Sequence, residues 1–343
     1  MNRVDDASRI VGTFKRSNVQ TLSHSDGHVQ TFKRDAELTL SIIVVNWNTR
    51  DLLADCLRSV YETVQDLDFE VFVVDNASSD GSAAMVRERF PEVRLIENTE
   101  NVGFARANNQ AIAQASGEYV LLLNSDAVLL PDAVRILMDA LAGDARRGAV
   151  GPRLLNADGS TQPSCHPVLT PWREFWRLCF LDRLIPLAHY PFEDSADDRE
   201  RRVEVLKGAC VLLRRAALDE IGLFDERYFM YSEEMDLFLR LERAGWTTWW
   251  VPAARVVHLG GQSANQIADA MYLELYRSKV RFQHKHYGAL GALAFRVLVT
   301  LAYLPRFAWA ALSWQPRRAR LYGRLLVELP IMCKKGPILG PES

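Results

Sequence analysis

From Leu38 onward, short unbroken apolar runs alternate with stretches whose apolar residues recur at helical spacing. Leu38–Val45 reads as a first buried strand, and Asn46-Trp47-Asn48-Thr49-Arg50 is the loop at its end. Residues 51–64 carry Leu52, Leu53, Cys56, Leu57, Val60 and Tyr61 on one helical face. Phe69–Asp75 is a second strand. Asp80-Gly81-Ser82 opens a helix to about Arg89, and Pro91 stops it. Val93–Ile96 is a third strand, 104–116 a helix closed by Gly117 in a left-handed cap, and Tyr119–Asp126 a fourth strand. This alternation predicts an α/β fold, a Rossmann-like, mainly parallel sheet with helices on both faces.

The second half is less regular. Pro131 starts a helix to about Leu141, Gly148–Pro152 is a short strand, and Asp158-Gly159-Ser160 is a hairpin turn. Residues 164–203 mix aromatic and charged residues and are expected to be partly mobile. Val205–Arg214 reads as a strand, Ser232–Ala244 as a helix with Gly245 past its end, and Thr247–Val251 as a strand followed by Val256-Val257-His258. The domain reading is a polar, flexible leader over 1–38 and a catalytic domain over 39–288, split at 150 into a nucleotide-sugar half and an acceptor half. An apolar, basic, helical extension follows over 289–343.

Composition changes this picture in two places. With 41 Lys and Arg against 43 Asp and Glu the net charge is -2, which argues against a nucleic-acid partner. The extension departs from that balance. Residues 289–304 are apolar but for Arg296, Pro305 is expected to break them, and Arg306, Arg317, Arg318, Arg320 and Arg324 follow with Trp309 and Trp314 among them. Aromatic residues with basic flanks suit a membrane surface, so peripheral contact is expected through 289–324. The competing reading packs this helix on the catalytic domain or on a second subunit. No run of eighteen uncharged apolar residues occurs, so a standard spanning helix is not expected. The N-terminus shows no secretion signal, and the five cysteines lack metal or redox spacing and read as mostly buried thiols of a cytosolic protein.

Candidate chemistry gathers where strands end. In open α/β sheets ligands bind outside the carboxyl ends of the strands. Asp75 and Asp126 stand at two such ends, suited to a sugar, base or metal–phosphate. Asp75 with Asn46 and Asn76 offers acceptors and donors to a nucleoside, whereas Asp80 reads as a helix cap. Arg106, near a helix start in an amide-rich stretch, can pair with phosphate. Asp126, beside Asn124, fits a cation that takes one or two carboxylates plus substrate phosphates, and His258 can complete that site. Glu233, Glu234 and Asp236 open a helix behind the candidate N-cap Ser232. Asp236 reads as the structural partner of Arg240. The adjacent Glu233 and Glu234 should point in different directions, and aromatic neighbours raise a carboxylate pKa, which makes one of them a candidate general base. Lys207 and Gly208 lie in the region expected to choose the acceptor.

Six stretches, in order, resemble the motifs of family 2 glycosyltransferases, nearest to the rhamnosyltransferase-like branch acting on bacterial cell-surface glycans. They are Ser41–Asn48, Val74–Gly81, Asn101–Asn109, Leu123–Asp126, Phe229–Leu237 and His258–Ser263. The resemblance covers about residues 38–288. It implies a GT-A fold and an inverting, metal-dependent transfer from a nucleoside diphosphate sugar, dTDP-rhamnose among the options, to a glycan or lipid-linked acceptor at the inner face of the cell membrane. It also implies that Asp75 binds the base, Arg106 lies near the nucleotide, Asp126 and His258 hold Mg²⁺ or Mn²⁺, and Glu234 is the catalytic base with Glu233 as its rival. Asn124 stands where many members carry a first Asp, and Glu234 where Asp is commoner. Two other readings compete with this one. A nucleotidyltransferase should carry a glycine-rich phosphate loop, which 46–50 lacks. A non-catalytic sugar-nucleotide or membrane-scaffold protein need not keep base, metal acid and histidine together.

Overall fold

The structure is a computed structural model that describes residues 39–65, 67–194 and 198–332. The expected leader, Cys333 and the last lysines lie outside the described residues. The first half follows the predicted alternation: β1 Leu40–Asn46, α1 Arg50–Thr63, β2 Phe69–Asp75, α2 Ser82–Arg89, β3 Arg94–Glu97, α3 Phe104–Ile112 and β4 Tyr119–Asn124. Strands β1 and β2, β2 and β3, and β1 and β4 pair in parallel. Successive side chains of a strand face opposite ways. Ile42 and Val44 of β1 therefore enter the core beneath α1, while Ile43 enters the core beneath α3.

The remainder comprises β5 Ala127–Leu129, α4 Ala133–Ala142, β6 Arg147–Leu155, β7 Thr161–Gln162, β8 Cys165–His166 and α5 Pro171–Leu178. Then come β9 Arg201–Val203, β10 Val205–Leu206, β11 Cys210–Arg214, α6 Arg215–Ile221, α7 Glu233–Arg243 and β12 Thr247–His258. Two longer helices follow, α8 Ala268–Leu312 and α9 Pro316–Glu328. The main sheet runs β3-β2-β1-β4-β11-β6-β12-β5, with β7 on β6 and β9 on β12. Strand β11 is antiparallel to both β4 and β6. The order reverses its direction of growth at β1, so β1 and β4 flank the switch point where such sheets bind ligands.

Several expectations are corrected. Helix α3 ends at Ile112, and Gly117 is not left-handed; a Cβ there would meet the Ser41 nitrogen at 2.6 Å, so the need is close approach to β1. The run Val205–Arg214 is two strands separated by Lys207–Ala209, because β10 leaves to pair with β8. Strand β12 is one twelve-residue element that absorbs Pro252 in an irregularity between Val251 and Arg255. Pro305 does not break the last long helix. It lies inside α8, where the Arg306 guanidinium donates to the Ala302 carbonyl, and the kink falls instead at Gly288, whose φ is 70°. The helical stretch 265–312 is long and apolar enough to cross a membrane by length and composition alone.

Part of the extension packs on the rest of the protein. Phe295, Val299 and Tyr303 of α8 pack with Leu178, Leu325 and Leu329 in a small third core, while Leu290, Leu301 and Leu312 face outward. Charged groups are buried at the seam between α5 and α8. Glu174 is paired with both Lys279 and Arg177, and Glu274 with Arg277.

Candidate functional site

The carboxyl ends of β1, β2 and β4 form the floor of a cleft. Asn76, Gly103, Asn124 and Asp126 line it, facing Phe229, Met230 and Gln262. Behind the floor, Asn46 donates to Asp75 Oδ1 at 2.9 Å, and the Ser78 N–H donates to Asp75 Oδ2 at 2.9 Å. Thr49 joins the set by donating to Asn46 Oδ1 at 2.7 Å and meeting Ser125 Oγ at 2.8 Å. The buried acid at the end of β2 thus has partners within the chain, and each carboxylate oxygen keeps a further lone pair. Asn76 is buried and accepts from Asn98 at 2.9 Å. Asp80 accepts from the Ser82 N–H at 3.0 Å and from the Arg50 N–H at 2.8 Å, so it ties the start of α2 to that of α1.

At the other wall, β12 ends on His258. Its Nδ1 lies 2.7 Å from Gln162 Oε1. The Gln162 amide nitrogen is itself committed as donor to the His258 carbonyl and to Asn156 Oδ1, so its oxygen must accept and Nδ1 carries the hydrogen. In a neutral ring that leaves the lone pair of Nε2 pointing at Asp126 Oδ1, 3.3 Å away, with Asn124 Nδ2 at 3.4 Å. A lone pair turned towards a carboxylate is a donor set that a divalent cation satisfies, and a ligating histidine commonly has its other N–H held this way. Among the described residues no group of three or more His, Cys, Asp and Glu could hold a metal. Substrate oxygens would have to complete the shell. Gln162 was not anticipated; it acts through a hairpin that folds onto β12 from 96 residues away, which no local pattern encodes.

The acidic helix start lies beside the cleft rather than on its lining. Tyr231 and Ser232 precede it with φ of 69° and 65°, two consecutive left-handed residues that are not glycine. Such backbone costs free energy and is found where surrounding structure enforces it. Ser232 therefore makes no capping bond, contrary to expectation. Just before them the chain is held close to Gly103: the Phe104 N–H donates to the Phe229 carbonyl at 2.7 Å, and a Cβ on Gly103, whose φ is 83°, would lie 2.4 Å from that carbonyl oxygen. Glu233 and Glu234 are both shielded from water, and the charge of one acts on the other. Burial raises both pKa values, and the neighbouring Glu234 charge raises Glu233 further, while Lys207 pulls Glu234 back down. One Oε2 of each has no hydrogen-bond partner. Asp236 is fully buried with Arg240 at 2.9 Å, His286 at 2.7 Å and Lys285 at 2.6 Å, a structural acid as expected.

Three further candidates are absent from the lining of the cleft. Arg106 is exposed, and its contact is Glu226 at 4.0 Å. Gly208 approaches Phe104, while Lys207 turns towards Glu234 and Glu193.

Comparison with known proteins identifies the family and the fold. Residues 41–222 match the family described as Glycosyl transferase family 2. The chain is 35% identical over 212 residues to an N-acetylglucosaminyl-diphospho-decaprenol L-rhamnosyltransferase of Mycobacterium tuberculosis (strain ATCC 25618 / H37Rv), covering 55% of this chain and 66% of that protein. It is 31% identical over 240 residues to the O-antigen biosynthesis protein RfbC of Myxococcus xanthus, 68% of this chain and 18% of that one. Among solved structures, the mannosyltransferase PcManGT from Pyrobaculum calidifontis, in complex with GDP-Man and Mn²⁺, superposes with a TM-score of 0.50 at 19% identity over 87% of this chain and 85% of that one. GalNAc-T7 with UDP, GalNAc and Mn²⁺ gives 0.52 at 17% identity, over 71% and 48%. At these identities the likeness is one of fold, the GT-A glycosyltransferase fold.

Proposed function

The chain belongs to glycosyl transferase family 2, and on that premise we propose that it transfers a sugar, rhamnose being the leading option, from a nucleoside diphosphate to a hydroxyl of a glycan or lipid-linked acceptor, with inversion. The observation that carries this reading is the Asp126–His258 pair at the floor of the cleft, set beside a buried carboxyl pair whose ionisation is held back.

Glu234 takes the proton of the acceptor hydroxyl. The acceptor oxygen forms its bond to the anomeric carbon on the face opposite the diphosphate, and the electrons of the breaking carbon–oxygen bond leave with the diphosphate. Lys207 favours the ionised form of Glu234, so Glu234 rather than Glu233 is the base. Asp126 and His258 would hold Mg²⁺ or Mn²⁺, which supplies positive charge against the departing diphosphate. Asn46, Asp75, Asn76 and Asn124 shape the nucleoside end. Arg106 reaches the nucleotide only by leaving Glu226. Residues 39–150 form the donor half, 151–288 the acceptor half, and 289–332 seats the protein on the inner face of the cell membrane. Support for that seat comes from Trp309, Leu312 and Trp314, exposed beside the exposed Arg317, Arg318 and Arg320, with no acid between Ala289 and Val327.

A thermal-shift series with UDP, GDP, dTDP and CDP, each with and without Mn²⁺, tests the reading, because a ligand of the native state raises apparent stability. One nucleotide should raise the Tm in a metal-dependent way, and dTDP would favour rhamnose. No shift with any of the four, with or without metal, would sink it.

A further inference from the structure

The segment 172–187 shows a second apolar surface, outside both the cleft and the C-terminal extension. Trp172 and Phe180 are each 59% exposed, Leu184 is 79% exposed and Ile185 53%. Side chains of this size normally lie in a core, and an apolar patch left outside marks a place of interaction. The patch is a built one. The Trp172 ring packs on Phe175 and Trp176 at centroid distances of 5.3 and 5.7 Å, and the Trp176 indole donates to the Ile185 carbonyl at 2.8 Å, which fastens the turn after α5 to the helix.

Charge says what the patch meets. The only acids between Pro171 and Pro191 are Glu174 and Asp182. Glu174 is buried against Lys279 and Arg177, and Asp182 accepts from the Ala188 N–H at 2.8 Å and pairs with His189. The outward side is therefore apolar and aromatic without free negative charge. It is also continuous with the extension: the Arg306 guanidinium donates to the Leu178 carbonyl at 2.6 Å and lies 5.1 Å from the Phe180 ring and 5.2 Å from that of Tyr303. An apolar patch joined to an aromatic and arginine-rich helix pair is what an anionic lipid leaflet receives, with the apolar side chains in the acyl boundary and the arginines among the phosphates.

We propose that residues 172–187 are a second membrane-insertion element, which with 309–320 seats the enzyme on an anionic bilayer by two separate segments of the chain. The proposal rests on the membrane reading above and extends it. Its catalytic meaning lies in what the base of the element touches. Just before α5, the Leu169 N–H donates to the sulfur of Met235 at 3.4 Å, and Gln283 donates to the Leu169 carbonyl at 2.9 Å. Met235 follows Glu234 on α7. The lipid surface and the proposed base are thus joined by one short rigid connection, suited to an acceptor hydroxyl carried on a lipid.

The test is co-sedimentation of the full chain with vesicles of phosphatidylcholine and phosphatidylglycerol. The wild type should pellet with them. The variant W172S/F180S/L184S should lose about tenfold or more of its partitioning, given the apolar area removed, while keeping the nucleotide-dependent thermal shift. The variant W309S/L312S/W314S separates the two ideas. If it fails to pellet while W172S/F180S/L184S pellets like wild type, the extension docks alone and the second element is refuted. If the wild type itself stays in solution, both fail. An environment-sensitive dye on L184C, in a background of Cys179→Ser and Cys333→Ser, reads insertion without removing the rest of the patch. Its emission should shift to the blue on adding anionic vesicles, and an unchanged spectrum would overturn the proposal. A shift to the monomer on substituting Trp172, Phe180 and Leu184 in vesicle-free sedimentation would assign the patch to a second copy of the chain instead.

Discussion

Glu233 and Glu234 answer to pH in two opposite ways. An unfolded glutamate titrates near 4.3, and burial raises both in the folded protein. Between those values the native state binds more protons than the unfolded one, so the stability they contribute is whole below about pH 4.3 and is lost as pH rises through the folded pKa values. Turnover needs Glu234 ionised and rises over the same window. Tm should therefore fall while kcat climbs, and Glu233→Gln should flatten the fall in Tm; a Tm insensitive to that substitution would contradict the pairing. Glu234→Gln should cost about 10²–10⁴-fold in turnover with nucleotide binding retained, and normal turnover would move the base elsewhere. At this scale the sequence was informative where a residue's position along a strand defined its place: Asp75 and His258 fall at strand ends, while Asp126 lies just beyond Asn124, in the turn between β4 and β5. It was silent on Gln162, which reaches His258 from a hairpin 96 residues away.

The elements show the same division. Strands β1, β2 and β4 and helix α1 were legible because each is a buried run or an apolar face of ordinary length. The departures come from tertiary contact: β12 runs through Pro252, α8 through Pro305, and the kink falls at Gly288. The seam of α5 and α8 could not be read at all, since it places Glu174 and Lys279, 105 residues apart, in one buried pair. Removing one partner of such a pair strands the other's charge. Lys279→Met should destabilise by about 3 kcal/mol, at the lower end for a buried pair because Arg177 still faces Glu174, and the added change Glu174→Gln should restore much of it. Denaturant unfolding of the single and double variants measures this, and an unchanged midpoint for Lys279→Met would show the pair to be energetically idle.

At the scale of the molecule, the parallel half of the sheet was legible from alternation, whereas the strand order through β11, β6 and β12 was not, because it depends on which edge each later strand joins. That order has a mechanical consequence. Strand β11 is hydrogen-bonded to β4 on one side and β6 on the other, so the proposed donor and acceptor halves share one unbroken sheet and there is no hinge between them. Access to the cleft must be governed by short loops, above all the one after His258, where Gly260 and Gly261 have φ of 71° and 68° and Gln262 and Ser263 line the cleft. Dyes placed on α2 and α6 should report the same separation with and without nucleotide and Mn²⁺, while a dye near Gln262 should respond; a change between α2 and α6 would mean the sheet yields. On the proposed reading the protein works less like a closing hand than like a bench with a moving clamp, and the loop after His258 is where a substitution should alter product release.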